Sequence, residues 1–376
     1  MRISSLWKRL RAALLAAVIL WAVTVTAGSD SAAAALSAVR SALPLRMLRW
    51  ELGDLRQADG LSAAAVLTLQ EAPLLISARS DVTKLWAQTE TPEYETLETL
   101  PSAPVEETVV EAAPAQDNGV PARTLIPTDP AGYTVCGDVY ISNSTDYSLS
   151  PAELQQPFAA ALTEETGPQV LILHTHGSEA YTPADTTGIV WSGDHRTTDS
   201  RCNVVAVGDA MAEELGAAGI SVLHDRTLYD YPSYSGAYTR SLAAIERYLA
   251  EYPSIRFVLD VHRDAVADAA GVQHKVISAV EEGTAAQLTI VVGSDGAGDP
   301  HPNWRENLKL ATALQQRLLE QYPTLMRPML LRDTRYNQHA TTGSLLVEVG
   351  AAGNAPEEAE LAGRIFAQTF ASLLGK

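Results

Sequence analysis

The chain has 376 residues, 46% of them hydrophobic and 19% charged, a balance that allows a large buried core. Its formal net charge of −18 argues against nucleic acid as a partner, because neutralising phosphates takes clustered Lys and Arg. The two cysteines, Cys136 and Cys202, exclude a disulfide framework and a zinc site built of thiolates; nothing in their spacing calls for a pair.

At the N-terminus, Arg2, Lys8, Arg9 and Arg11 precede an uncharged apolar run from Ala12 to Gly28. Residues 1–29 therefore read as a single membrane anchor with its N-terminus inside, or as a signal segment, and either places the remainder outside the cytoplasm. Residues 30–88 form a juxtamembrane segment without an assigned role. Their apolar stretch from Leu61 to Ala78 is interrupted by Gln70, Glu71 and Pro73, which makes a second span unfavourable. Residues 89–130 are rich in Glu and Pro, with no Lys or Arg between Lys84 and Arg123, the composition of an extended tether. Residues 131–164 lead into a candidate catalytic domain spanning 165–376.

From about Thr163 the pattern is α/β. Gln169 to His174 is a short apolar run, as expected of a strand buried on both faces. Asn203 to Leu215 has helical apolar spacing and Gly219 follows as a stop signal. Strands are expected at 220–224, 256–261, 275–280, 288–292 and 344–349, and helices at 235–251, 304–322 and 356–374. This alternation predicts a twisted, mostly parallel sheet with helices on both faces.

In such sheets ligands bind outside the carboxyl ends of the strands. His174-Thr-His176-Gly-Ser-Glu179, Asp260-Val-His262-Arg263-Asp264 and Val347-Glu348-Val-Gly350 all follow or close apolar runs. His176, Glu179 and His262 supply two imidazoles and one carboxylate, the ligand set of a catalytic zinc ion with an open position. Glu348 is placed to act as general acid/base, and Asp260 to orient a histidine from behind. His174 is the competing ligand, or a residue of the core behind the site.

The same segments, with Asn203-Val-Val-Ala-Val-Gly208-Asp209, His224-Asp225, Pro232 to Tyr238, His301 to Asn307, Tyr336-Asn337-Gln338 and Asn354, resemble the stage II sporulation protein P family. The resemblance covers about residues 165–376, and the anchor and acidic linker also fit that family's layout. It implies a fold like that of type-3 amidases and zinc carboxypeptidases, and zinc-dependent cleavage of peptidoglycan between N-acetylmuramic acid and L-alanine. It further implies a role in engulfment beside a lytic transglycosylase, stage II sporulation protein D. Carried over, His176, Glu179 and His262 look like ligands and Glu348 like the acid/base. Glu179 is spaced differently from the Glu ligand of type-3 amidases. Arg263, Asn203, Asn337 and Gln338 are candidate substrate contacts, each with an ordinary structural alternative. A zinc carboxypeptidase or endopeptidase, with Arg263 or Arg332 as carboxylate clamp, and a non-catalytic wall-binding scaffold are the other readings.

Overall fold

A computed structural model of the protein describes residues 118–184, 195–268 and 271–376. The expected anchor (1–29), the juxtamembrane segment (30–88) and the linker up to residue 117 lie outside the described residues. Among those described, no helix is long and apolar enough to cross a membrane.

The central sheet has eight strands. In chain order they are β2 (Thr134–Cys136), β3 (Val139–Asn143), β4 (Val170–Leu173), β5 (Val222–His224), β6 (Phe257–Asp264), β9 (Leu288–Gly293), β10 (Met329–Arg332) and β11 (Ser344–Ala351). Their spatial order is β2-β3-β10-β9-β11-β6-β4-β5. Pairing is parallel at every step except β2–β3 and β9–β11, so the expected α/β fold with a mostly parallel sheet is found. The antiparallel β9–β11 seam separates a parallel block of β3, β10 and β9 from one of β11, β6, β4 and β5 that runs the other way. A second sheet joins β1 (Ala122–Arg123), β7 (Lys275–Val280) and β8 (Gly283–Ala286).

Two-residue periodicity sorts the strand side chains onto two faces. Phe257, Leu259 and Val261 of β6, with Leu345, Val347 and Val349 of β11, pack into one core with helices α2 (Val204–Ala217), α4 (Trp304–Gln321) and α5 (Pro356–Leu373). On the other face Leu171, Leu173 and Val258 pack against Ala244 and Ile245 of α3 (Ala237–Glu251). Asp260 and His262 alternate with the first set and so share the α3 face.

The structure corrects the boundaries read from composition. Asn118 donates to the carbonyls of Thr182 and Gly353. Ala122 and Arg123 pair with β7, so the last part of the expected linker belongs to the fold. Residues 131–164, expected only to lead in, supply β2, β3 and the short helix α1 (Pro151–Leu154). Such short segments carry too few residues to set a period. Cys136 and Cys202 are both buried free thiols.

Candidate metal centre

β4, β6 and β11 run in the same direction, so their carboxyl ends open on one rim. β4 stops at Leu173, and the turn after it carries His176 and Glu179. A Cβ on Gly177 would come 2.8 Å from Leu228 Cδ2 and 3.2 Å from its backbone, so the turn packs closely there. Glu179 is held by an antiparallel bridge to Arg196, and Ala180 by one to Asn203.

His176 Nδ1 lies 3.4 Å from Glu179 Oε1, and His262 Nδ1 lies 3.5 Å from Glu179 Oε2. One ligand atom from each of the three residues falls within 4.8 Å of the others. All three residues are at most 5% exposed. Two imidazole nitrogens and a carboxylate oxygen converging in a buried site fit a zinc ion in donor type and spacing.

The electrostatics support the same reading. Burial alone would raise the Glu179 carboxyl, yet His176 and His262 hold it well below the usual range. Burial would lower His262, but Asp260 and Glu179 raise it well above an ordinary histidine. Burial would likewise raise Asp260, which His262 and Thr175 keep low. Positive charge on His262 is thus held between the Asp260 and Glu179 carboxylates, at the place where a cation would substitute for protons.

Glu348 pairs in register with His262 on the neighbouring strand and shares its face. The residue is partly exposed, but its Oε2 is out of solvent and without a hydrogen-bond partner. Burial pushes its carboxyl up to about 8, with His262 opposing and Asp264 and Glu179 adding to the rise. An orphaned carboxyl oxygen beside the His262 imidazole is poised for proton transfer.

Aromatic rings frame the centre. Tyr234 stacks on His176 at 4.6 Å between centroids, and Tyr238 meets the same ring edge-on at 5.4 Å. Tyr238 also lies nearly parallel to His262, 6.5 Å away. Arg196 donates to Asp230 at 2.9 Å, lies 3.7 Å from Glu179, and covers the Tyr234 ring. Sequence reasoning assigned no role to Arg196, Tyr234 or Tyr238. The tyrosines lie in a segment quoted for its resemblance, and Arg196 carries no spacing signal.

His174 is separated from the ligands. With β4 ending before it, the two rings of His174-x-His176 do not share a face as they would on a continuing strand. His174 Nδ1 donates to the Val261 carbonyl of β6 at 2.9 Å, and its Nε2, beside Gly208 of α2, meets His224 Nε2 at 2.8 Å. His224 Nδ1 lies 3.0 Å from Asp209 Oδ1. A Cβ on Gly208 would come 2.5 Å from His224 and 2.6 Å from His174, so the glycine makes room for the pair.

The other candidate residues are engaged with the protein itself. Asn203 caps α2 through Val205 N–H at 3.0 Å and donates to the Thr197 carbonyl. The Arg263 guanidinium donates to the carbonyls of Ala180 and His195, and its backbone N–H to Glu179. Gln338 brackets β9, accepting from Gly293 N–H and donating to the Val291 carbonyl. Asn337 bonds to the first turn of α3. Arg332, at the far end of β10, donates to Ser144. Trp304 is buried against Tyr147, 5.0 Å between ring centroids.

The profile of the family described as Stage II sporulation protein P matches residues 101–371. A curated relative, "Stage II sporulation protein P" of Bacillus subtilis (strain 168), is 27% identical over 221 residues, 54% of this chain and 50% of that protein. The chain therefore spans about half the length of the curated relative it matches. Among solved structures, N-acetylmuramoyl-L-alanine amidase AmiC2 of Nostoc punctiforme aligns at 14% identity and a TM-score of 0.31, over 56% of this chain and 94% of that one. The CwlD amidase from Clostridioides difficile, in complex with the GerS lipoprotein, aligns at 14% identity and a TM-score of 0.32, over 55% and 94%.

Proposed function

Since the chain belongs to the stage II sporulation protein P family, we propose that it is a zinc-dependent peptidoglycan hydrolase acting in endospore formation. The bond cut is the amide between N-acetylmuramic acid and L-alanine. The observation that carries the chemistry is the convergence of His176, Glu179 and His262, with the unpartnered Glu348 Oε2 beside them.

His176, Glu179 and His262 would hold the zinc ion. When bound there, zinc supplies Lewis acidity, polarising the scissile carbonyl and acidifying water. Glu348 takes the proton from the attacking water and delivers it to the leaving amine of L-alanine. Water's oxygen bonds to the carbonyl carbon, the C–N bond breaks, and the products are a free lactyl carboxylate and a free peptide amine. Asp260 orients His262 from behind. Tyr234 and Tyr238 fix the imidazoles by stacking and narrow the access of water.

A carboxypeptidase reading is less well supported. It needs an arginine clamp at the metal, but Arg263 is engaged with backbone carbonyls and Arg332 sits with Ser144 at the other end of its strand. We read the first residues as a membrane anchor that leaves the catalytic domain outside the cytoplasm, a reading supported by the basic flank and apolar run; stage II sporulation protein D as a partner is what the family resemblance implies.

The deciding experiment digests purified peptidoglycan with the protein, with and without chelator, and identifies products by mass spectrometry. Intact stem peptides with a free L-alanine amine, lost on chelation, are expected. Shortened peptides would replace the amidase with a peptidase, and no soluble product would favour a wall-binding scaffold.

A further inference from the structure

The row of residues that holds Glu348 continues across the sheet. Glu348 of β11 pairs with Thr289 of β9. The β9–β10 register, Val291 with Leu330, sets Thr289 level with Pro328. The β10–β3 register, Met329 with Ile141, sets Pro328 level with Tyr140. Glu348 alternates with the core residues Val347 and Val349, Thr289 with Leu288 and Ile290, and Tyr140 with Val139 and Ile141. All three therefore belong to the face that carries His262. The row ends at a cavity of about 340 Å³ bordered by Pro328 and Tyr140, the size of a small-ligand site.

The cavity combines an apolar wall, to which Pro127, Tyr140 and Met326 contribute, with two acceptors. Gln315 of α4 lines it and is 2% exposed, and its Nε2 donates to the Arg327 carbonyl at 3.0 Å. A carbonyl only accepts, so the orientation of the amide is fixed and Oε1 is the atom left without a partner. Asp138, in the turn between β2 and β3, lines the same cavity. Arg327, also in the wall, is committed to Asp264 at 2.6 Å. A buried amide oxygen and a carboxylate, beside a guanidinium already engaged, call for a ligand rich in donors and positively charged. A primary ammonium on an aliphatic stem has that chemistry, and its methylene groups suit the apolar wall.

We propose that this cavity is the subsite for the diamino-acid residue of the stem peptide, with Gln315 Oε1 and Asp138 as acceptors for its side-chain ammonium. The proposal rests on the peptidoglycan reading above and adds the part of the substrate that is recognised away from the cut bond. Reach decides the match. From β11 across β9 to β10 is two strand spacings, about 10 Å, and the cavity begins there. An extended peptide covers about 3.3–3.6 Å per residue, so three residues from the cut amide span about 10–11 Å. The diamino acid of peptidoglycan stems is that third residue.

The test titrates the metal-free full chain with the free tripeptide L-alanyl-γ-D-glutamyl-diaminopimelate and with an analogue carrying alanine as its third residue. Binding is followed by calorimetry and by the side-chain amide resonances of Gln315. The analogue should bind at least about 10-fold more weakly, the loss expected for hydrogen bonds from a charged donor, and only the tripeptide should shift the Gln315 resonances. Asp138→Asn, at an exposed turn, and Gln315→Leu should each reduce that preference by about 3-fold or more. Where Gln315→Leu fails to fold, Asp138→Asn decides alone. Equal affinity for the two peptides, absence of binding, or an unchanged preference in the Asp138 variant overturns the proposal. Digestion of peptidoglycan is scored separately. No cleavage, with an amine-dependent peptide affinity, removes the amidase reading and leaves the subsite; cleavage without that preference does the reverse.

Discussion

His174 and His224 face each other Nε2 to Nε2 at 2.8 Å, a contact in which one ring must donate and the other accept. His174 gives its Nδ1 hydrogen to the Val261 carbonyl, so the neutral ring carries its lone pair on Nε2 and His224 is the donor. A second proton on His174 would set N–H against N–H. Burial, reinforced by His224, accordingly pushes His174 down to about 3.

Acid lability follows from this pair. In the unfolded chain His174 takes up a proton near pH 6.5, while in the folded protein it resists until about 3. Its contribution is complete above pH 6.5 and is lost as pH falls toward 3, on the order of 3 kcal/mol between pH 6.5 and 4. Denaturant unfolding across that range should show the loss, and His174→Asn should flatten the slope. An unchanged slope in the variant would assign the lability to other groups.

Gly208→Ala should destabilise the protein, although alanine is the better helix former by about 1 kcal/mol. The added methyl would sit 2.5–2.6 Å from two ring nitrogens, so the pair must separate. A net cost of about 1–3 kcal/mol is expected by chemical denaturation. The cost should shrink when His224→Ala makes room, a coupling that a double-mutant cycle measures. Additive effects would show that the helix, not the histidines, sets the penalty.

His176→Ala and His262→Ala should each abolish stoichiometric zinc, measured by elemental analysis after dialysis. Either variant retaining a full equivalent would remove that residue from the ligand set. Glu348→Gln should keep the metal and lose about 10²- to 10⁴-fold in turnover on peptidoglycan, the usual range for a positioned acid/base. Turnover within a few-fold of wild type would disqualify Glu348.

The same Glu348→Gln change should stabilise the metal-free protein. Burial raises this carboxyl from its ordinary value of 4.5 to about 8 in the fold. Its contribution is therefore favourable below pH 4.5 and is lost as pH rises through 8. At pH 8 the amide variant should be about 1–3 kcal/mol more stable than the metal-free wild type, with the gap closing at pH 4.5. A constant gap across this range would show that the carboxyl does not titrate there.

Much of the candidate site is legible in the sequence, because His176, Glu179, His262 and Glu348 all follow or lie within apolar runs long enough to identify as strands. The rule that chemistry gathers at carboxyl ends did the rest. What stayed hidden depends on contacts remote in sequence. Nothing in the chain announces that Arg196 pairs by backbone with Glu179, or that Tyr238 lies over His262. The separation of His174 from His176 was ambiguous because it depends on where β4 stops, and a strand end is uncertain by a residue or two. β3 and β10 are too short to set a period, which hides them in the sequence. Asn337 is an even choice between cleft and turn in the sequence, and the structure shows the turn, its amide holding the Tyr238 carbonyl and Ser241 of α3.

The β9–β11 seam has a consequence for how such a chain can vary. Because direction reverses there, the segments that follow β3 and β9 leave from the rim opposite the ligand turns. Length added just after those strands would leave the register between β11 and β6 untouched, and with it the spacing of Glu348 and His262. The sheet is thus divided into a half that must keep its geometry and a half in which the loops leaving β3 and β9 are open to lengthening, grafting or labelling. Reporter insertions in the Ser294–Asp299 turn should therefore leave zinc uptake intact.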